Sequence, residues 1–140
     1  MKAYLTRRYR FSASHRLHCD AMSAEENQAV YGKCNNPHGH GHNYALEITV
    51  AGPVNRKTGM VCDLSDLDAF VKNHILERLD YQNLNTLAEF QTTVPTTENV
   101  CVALYNLMEK GFRHAKVERI RIEETLFNSF EYAGGREIRE

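Results

Sequence analysis

An α+β fold is predicted: an antiparallel sheet with two long helices packed on one face, in the order ββααββ. Three features of the sequence predict it. Residues 2–17 and 40–51 alternate apolar and polar side chains with a period of two. Residues 65–79 and 96–111 carry apolar residues at helical spacing. Two further alternating segments then close the chain. All 140 residues read as a single domain, because a chain of this length buries a core of its own and shows no linker, repeat or low-complexity tract.

Composition narrows the function classes. Hydrophobic residues make up 42% and charged residues 25%, and the net charge is −1, so there is no bulk electrostatic case for nucleic acid. No run of about 18 apolar residues is present to span a membrane. Cys19, Cys34, Cys62 and Cys101 form no CxxC pair and no targeting stretch precedes the first strand, which together predict a reducing, cytoplasmic setting. Arg7, Arg8 and Arg10 cluster near the N-terminus, and Arg16 and Lys33 lie near the candidate site. They suit either a phosphorylated substrate or a solvated strand face.

The first strand covers residues 2–17. Tyr9, Phe11, Ala13 and Leu17 share one parity, and His15 falls on it, so His15 is expected to point inward. Residues 18–33 leave the sheet. Ser23 with Glu26 forms a capping box for a short helix from Ala24 to Tyr31, which delivers Cys34. The second strand, from His40 to about Ala51, puts His40, His42, Tyr44, Leu46, Ile48 and Val50 on one face. Residues 60–64 read as a brief strand or as an extended entry to the first long helix, Ser65 to Leu79. Ser65 is its expected cap, and Leu67, Phe70, Val71, His74, Ile75 and Leu79 form its stripe. Polar residues to Val94 read as loop. The second long helix is capped by Thr96 or Thr97 and buries Val100, Leu104, Leu107 and Met108; Cys101 has no expected chemistry. In the next strand Ile120, Ile122 and Glu124 share a parity, so an apolar face ends in a carboxylate, and the last strand is expected near 128–132.

His15, His40 and His42 thus fall on one face of two adjoining strands. Three imidazoles converging in this way make the ligand pattern of a catalytic zinc with an open fourth position. The glycines between them suit a close approach to a ligand. Taken singly, His15 or His74 would be an ordinary core or interface histidine; the alternating set is what favours a metal. Cys34 near that set is either a base held as thiolate or a fourth ligand closing a structural site.

The chain resembles the 6-pyruvoyltetrahydropterin synthase family over nearly its whole length. The resemblance rests on Phe11-Ser-Ala-Ser-His15-Arg-Leu17, Cys34-Asn-Asn-Pro-x-Gly-His40-Gly-His42-Asn-Tyr44, Gly59-Met-Val-x-Asp63-Leu, Leu79-Asp80-x-x-Asn83-Leu84-Asn85, Pro95-Thr-Thr-Glu98-Asn99 and Glu124-Thr125. Five residues between Cys34 and His40 match the pyruvoyl-forming branch; the 6-carboxytetrahydropterin synthases of queuosine synthesis usually have three.

The resemblance implies a tunnelling fold assembled as a homohexamer of two trimers. It also implies Zn2+ on His15, His40 and His42, Cys34 as the proton-abstracting base, Glu124 as the pterin anchor, and ring contacts from Thr96 and Thr97. The implied reaction converts 7,8-dihydroneopterin triphosphate to 6-pyruvoyltetrahydropterin and triphosphate, a carbon–oxygen lyase step of tetrahydrobiopterin biosynthesis. One position departs from the pattern: the family's Leu-Asp-His stands here as Leu79-Asp80-Tyr81, so the relay role carries over to Asp80 and Tyr81 only in part. A phenol exchanges protons near neutrality less readily than an imidazole. The departure leaves room for a 6-carboxytetrahydropterin synthase or for a pterin-binding zinc protein of weak turnover. A zinc hydrolase of another small substrate is a further alternative.

Overall fold

A computed structural model describes residues 2–135. Strand β1 spans Ala3–His15, followed by helix α1 at Ala24–Tyr31, a 3-10 turn at Gly32–Asn35, and strand β2 at His40–Gly52. Helix α2 at Leu64–Val71 runs through a π turn, Lys72–Leu76, into a last turn α3, Glu77–Leu79. Strand β3 at Gln82–Asn83 and two 3-10 turns lead to helix α4 at Thr97–Gly111, then β4 at Lys116–Glu123 and β5 at Ser129–Tyr132. The sheet order is β3-β1-β2-β4-β5.

The predicted α+β arrangement is therefore present, with one addition. The segment after the first long helix is not all loop: β3 joins the edge of β1 in parallel at Ala13 and Ser14, so the sheet is mixed. Two residues of pairing carry too weak a pattern to read from sequence. Residues 60–64 form no strand.

Inward parity on β1 and β2, together with the stripes of α2 and α4, closes one core. Leu46, Ile48, Val50, Leu67, Val71, Ile75, Val100, Leu104, Met108, Ile120 and Ile122 are all buried there. The buried residues Leu67, Val71, Ile75 and Leu79 repeat every four residues, a spacing that drifts on a helix of 3.6 residues per turn. The wider π turn at Lys72–Leu76 takes up that drift. This displaces two members of the predicted stripe: Phe70 is half-buried, and His74 is exposed, its ring tilted against Phe70 with centroids 4.3 Å apart.

Capping differs in one place. Asp63, not Ser65, is the α2 cap, its carboxylate accepting from Ser65 N–H at 2.8 Å. Ser23 caps α1 by accepting from Glu26 N–H at 3.1 Å, as the capping box predicts.

Away from the helices the sheet presents a charged face. Arg8 pairs with Glu47, Arg121 with Glu47 and Glu123, and Arg119 with Glu131. Arg7, on the helix side, pairs with Asp68.

Candidate active site

Antiparallel pairing of β1 and β2 sets His15 opposite His40 and Ala13 opposite His42. The three imidazoles consequently emerge on the same face, with ring centroids 5.4 Å (His15–His40), 5.0 Å (His15–His42) and 4.5 Å (His40–His42) apart. His15 is fully buried. Its Nδ1–H donates to Pro95 O at 2.9 Å, which fixes the tautomer and turns Nε2 toward the other two rings. Gly39 allows the approach of the two strands. It sits at φ +70°, and a Cβ there would lie 2.7 Å from His15 O. Gly39 is thus required by a close approach to backbone, whereas Gly41 has ordinary clearance from protein atoms.

Cys34 joins this group from the 3-10 turn. Leu17 N–H donates to Cys34 O at 2.7 Å and Asn35 Nδ2 donates to Leu17 O at 2.8 Å, so the insertion is tied to the end of β1. The thiol lies 2.9 Å from His40 Nε2. The ligand atoms of His15, Cys34, His40 and His42 all lie within 4.8 Å of one another.

Glu124 closes the cluster. Its Oε1 stands 2.8 Å from His42 Nε2 and 3.9 Å from His15 Nε2, while Oε2 accepts from Thr97 Oγ1–H at 2.6 Å. The contact of the carboxylate with His42 is close but not aligned as a hydrogen bond, so the buried His15 Nε2 and His42 Nε2 both lack hydrogen-bond partners.

Burial holds the pKa of His15 and of His42 below the usual imidazole range; for His42 the attraction of Glu124 works against burial, and for His15 the Pro95 contact does so first. Burial, and secondarily Glu124, pushes the Cys34 thiol up. The partnerless His15 Nε2 and His42 Nε2, the first oriented by a backbone carbonyl, face one point beside His40 Nε2 and fit a divalent cation. Three nitrogens and a nearby thiol suit zinc among the common ones.

Not every expected residue joins this group. Thr97 does, through Glu124, whereas the Thr96 hydroxyl is occupied in capping α4, accepting from Asn99 N–H at 3.2 Å. Asp80 Oδ1 accepts from Ser12 N–H at 2.8 Å, and Tyr81 is exposed at the edge of β1. No described hydrogen bond, ion pair or ring contact joins either side chain to the cluster. Sequence reasoning passed over Asn27 and Asn85. The buried Asn27 amide ties Cys19, Met22 and Ser23 together, and the Asn85 side chain bonds both Arg16 N–H and Arg16 O. For Asn85 the signal was its place in the Leu79–Asn85 motif; for Asn27, inside a polar helix, there was none.

Residues 4–135 match the family model described as 6-pyruvoyl tetrahydropterin synthase. The chain belongs to this family. It is 46% identical over 132 residues to the 6-pyruvoyl tetrahydrobiopterin synthase of Poecilia reticulata, covering 94% of this chain and 90% of that one. To the Drosophila melanogaster protein of the same name it is 44% identical over 134 residues, covering 94% and 80%. The solved structure of Caenorhabditis elegans 6-pyruvoyl tetrahydropterin synthase superposes with a TM-score of 0.91 at 36% identity, over 96% of this chain and 97% of that one. The fold is accordingly the tunnelling fold of the synthase family, and the chain is an enzyme of that kind.

Proposed function

We propose that residues 1–140 form a single-domain, zinc-dependent 6-pyruvoyltetrahydropterin synthase, a carbon–oxygen lyase converting 7,8-dihydroneopterin triphosphate to 6-pyruvoyltetrahydropterin and triphosphate. The observation that carries this reading is the convergence of His15, His40, His42 and Cys34 beside Glu124 in a chain of this family. Side-chain oxidation is balanced by ring reduction within the substrate, so the reaction needs no nicotinamide or flavin.

In this reading the three imidazoles hold zinc. When bound, it supplies Lewis-acid polarisation of the substrate's side-chain hydroxyl oxygens and a positive field that favours the Cys34 thiolate. Cys34 takes a carbon-bound proton of the substrate side chain. Glu124 anchors the pterin by accepting from the ring N–H and exocyclic amine, and the Thr97 hydroxyl holds that carboxylate in place. Asp80 and Tyr81 are the proposed proton relay, with the phenol standing where the family commonly has imidazole. Assembly is a homohexamer of two trimers and the setting cytoplasmic; no helix among the described residues is long and apolar enough to cross a membrane.

The competing product is 6-carboxytetrahydropterin, and the five-residue gap between Cys34 and His40 favours the pyruvoyl branch. Incubating the zinc-loaded protein with dihydroneopterin triphosphate and identifying the pterin by mass spectrometry tests the reading. A 6-pyruvoyl product with release of triphosphate is expected. A 6-carboxy product moves the chain to the other branch, and no turnover leaves only a pterin-binding role.

A further inference from the structure

At the end of the sheet away from the histidines lies a cavity of about 620 Å3. The β1–β2 ladder runs from Ala3–Gly52 at this end to His15–His40 at the other, roughly 40 Å at about 3.3 Å per residue. The cavity is therefore separate from the candidate active site. It lies where three elements meet their ends: β2 stops at Gly52, α4 stops at Gly111, and β4 begins at Lys116. The link between α4 and β4 forms part of its wall.

That wall divides by chemistry. Ala51, Phe112 and Val117 are buried and Val61 is half-buried, which makes an apolar floor. Arg113, His114 and Lys116 are exposed and make a basic rim. His114 Nδ1 faces Asp66 Oδ2 at 3.6 Å, but no described carboxylate pairs with Arg113 or Lys116. By contrast, Arg7, Arg8, Arg78, Arg119 and Arg121 all have carboxylate partners. Among the described residues the only carboxylate in the lining is Glu109 of α4, so the rim is positive on balance.

A buried phenol adds a second observation. Tyr105 is only 7% exposed, yet its hydroxyl makes no hydrogen bond among the described residues, and a buried tyrosine ordinarily finds a partner. Its side chain lines this cavity and a neighbouring one of about 510 Å3, so it stands between the two. Gly134, at φ +85°, leaves room beside the hydroxyl, where a Cβ would stand 2.5 Å from the oxygen. Burial, and secondarily the charge of Glu109, pushes the phenol pKa up, so the group stays protonated and is available as a donor. An apolar wall with a few polar groups that fix orientation, in a space of this size, is the usual make-up of a small-molecule site.

We propose that this cavity is a second ligand site, for a small organic anion whose flat apolar body rests on Ala51, Val61, Phe112 and Val117. Its carboxylate sits between Arg113 and Lys116, and a carbonyl or ether oxygen accepts from the Tyr105 hydroxyl. No group of the histidine cluster takes part.

The test uses 7-methoxycoumarin-3-carboxylate, a fluorescent fused-ring acid that carries a ring carbonyl, titrated into the full, zinc-loaded protein. Saturable binding at one site per chain is expected. The neutral 7-methoxycoumarin-3-carboxamide keeps the rings and should bind about tenfold more weakly, because it loses the charge-assisted hydrogen bonds of the rim. Arg113→Glu with Lys116→Glu should remove that preference for the acid. Both residues are exposed, so this double variant is expected to keep its fold. Tyr105→Phe should weaken binding of both probes by about fivefold, the net worth of one hydrogen bond. Val61→Phe, which fills the floor, should block both. Absence of saturable binding, equal affinity for acid and amide, or acid binding that survives the rim variant and Val61→Phe would each overturn the proposal.

Discussion

Cys34 is the residue whose role depends most on its surroundings. Its thiol sits 2.9 Å from His40 Nε2, close enough to be either a base beside the ligands or a ligand itself. If it is the base, Cys34→Ala abolishes turnover while metal analysis still finds one zinc per chain, because three imidazoles suffice to hold the ion. Loss of zinc would make the site a closed, structural one. The histidines give a pH prediction for the metal-free protein. Folding lowers the pKa of His15 and His42 chiefly by burial, so near and below about pH 6.5 the unfolded chain binds protons that the folded chain refuses. Stability is then complete above about pH 6.5 and falls as the pH drops below it, by up to about 1.4 kcal/mol per pH unit for each ring. Thermal denaturation of apoprotein between pH 7.5 and 5 should show a falling midpoint, and a midpoint that rises toward acid would refute neutral rings. That these histidines face one way is readable from strand parity. That His15 is keyed to Pro95 O, 80 residues away, is not, since no local pattern links them.

Helix starts offer sharper tests at the level of the element. Asp63 caps α2 in the position that sequence alone suggests for Ser65, both being good cap residues two places apart. Asp63→Ala should cost about 1 kcal/mol, or about 3 °C in Tm, and Ser65→Ala much less. Equal effects would mean that the cap is shared. The two threonines before α4 separate likewise. Thr96→Ala should lower Tm by a similar amount with little change in KM, because its hydroxyl serves Asn99 N–H. Thr97→Val should leave Tm nearly unchanged and raise KM about tenfold, because its hydroxyl orients Glu124. A reversed pattern would exchange their roles. The long, strongly periodic elements β1, β2 and α4 were legible from sequence. The two-residue β3 and the π turn were not, since one lacks enough residues for a period and the other shows only as a four-residue repeat read as a helix.

At the scale of the whole molecule, among the described residues β5 has no neighbour on its far side and β1 is paired on its outer side only at Ala13 and Ser14, edges that the proposed homohexamer would cover. A homo-oligomer unfolds with a midpoint that depends on concentration, because each folded copy binds the others and the unfolded chain does not. The Tm of this protein should therefore rise by several degrees over a hundredfold increase in concentration, with sedimentation reporting the same species throughout. A flat Tm together with a monomeric sedimentation profile would contradict assembly.

The sequence by itself determined the α+β class, the inward parity of His15, His40, His42 and Glu124, and the family, because periodicity and motif spacing are local properties of the chain. Only the tertiary structure decided which of those residues meet. It set His15 opposite His40 through the β1–β2 register and turned the Thr97 hydroxyl onto Glu124. It also committed Asp80 to the Ser12 backbone, leaving Tyr81 in solvent. Register and packing are relations between segments far apart in the chain, and they are fixed by the shared core and not by any one stretch of residues.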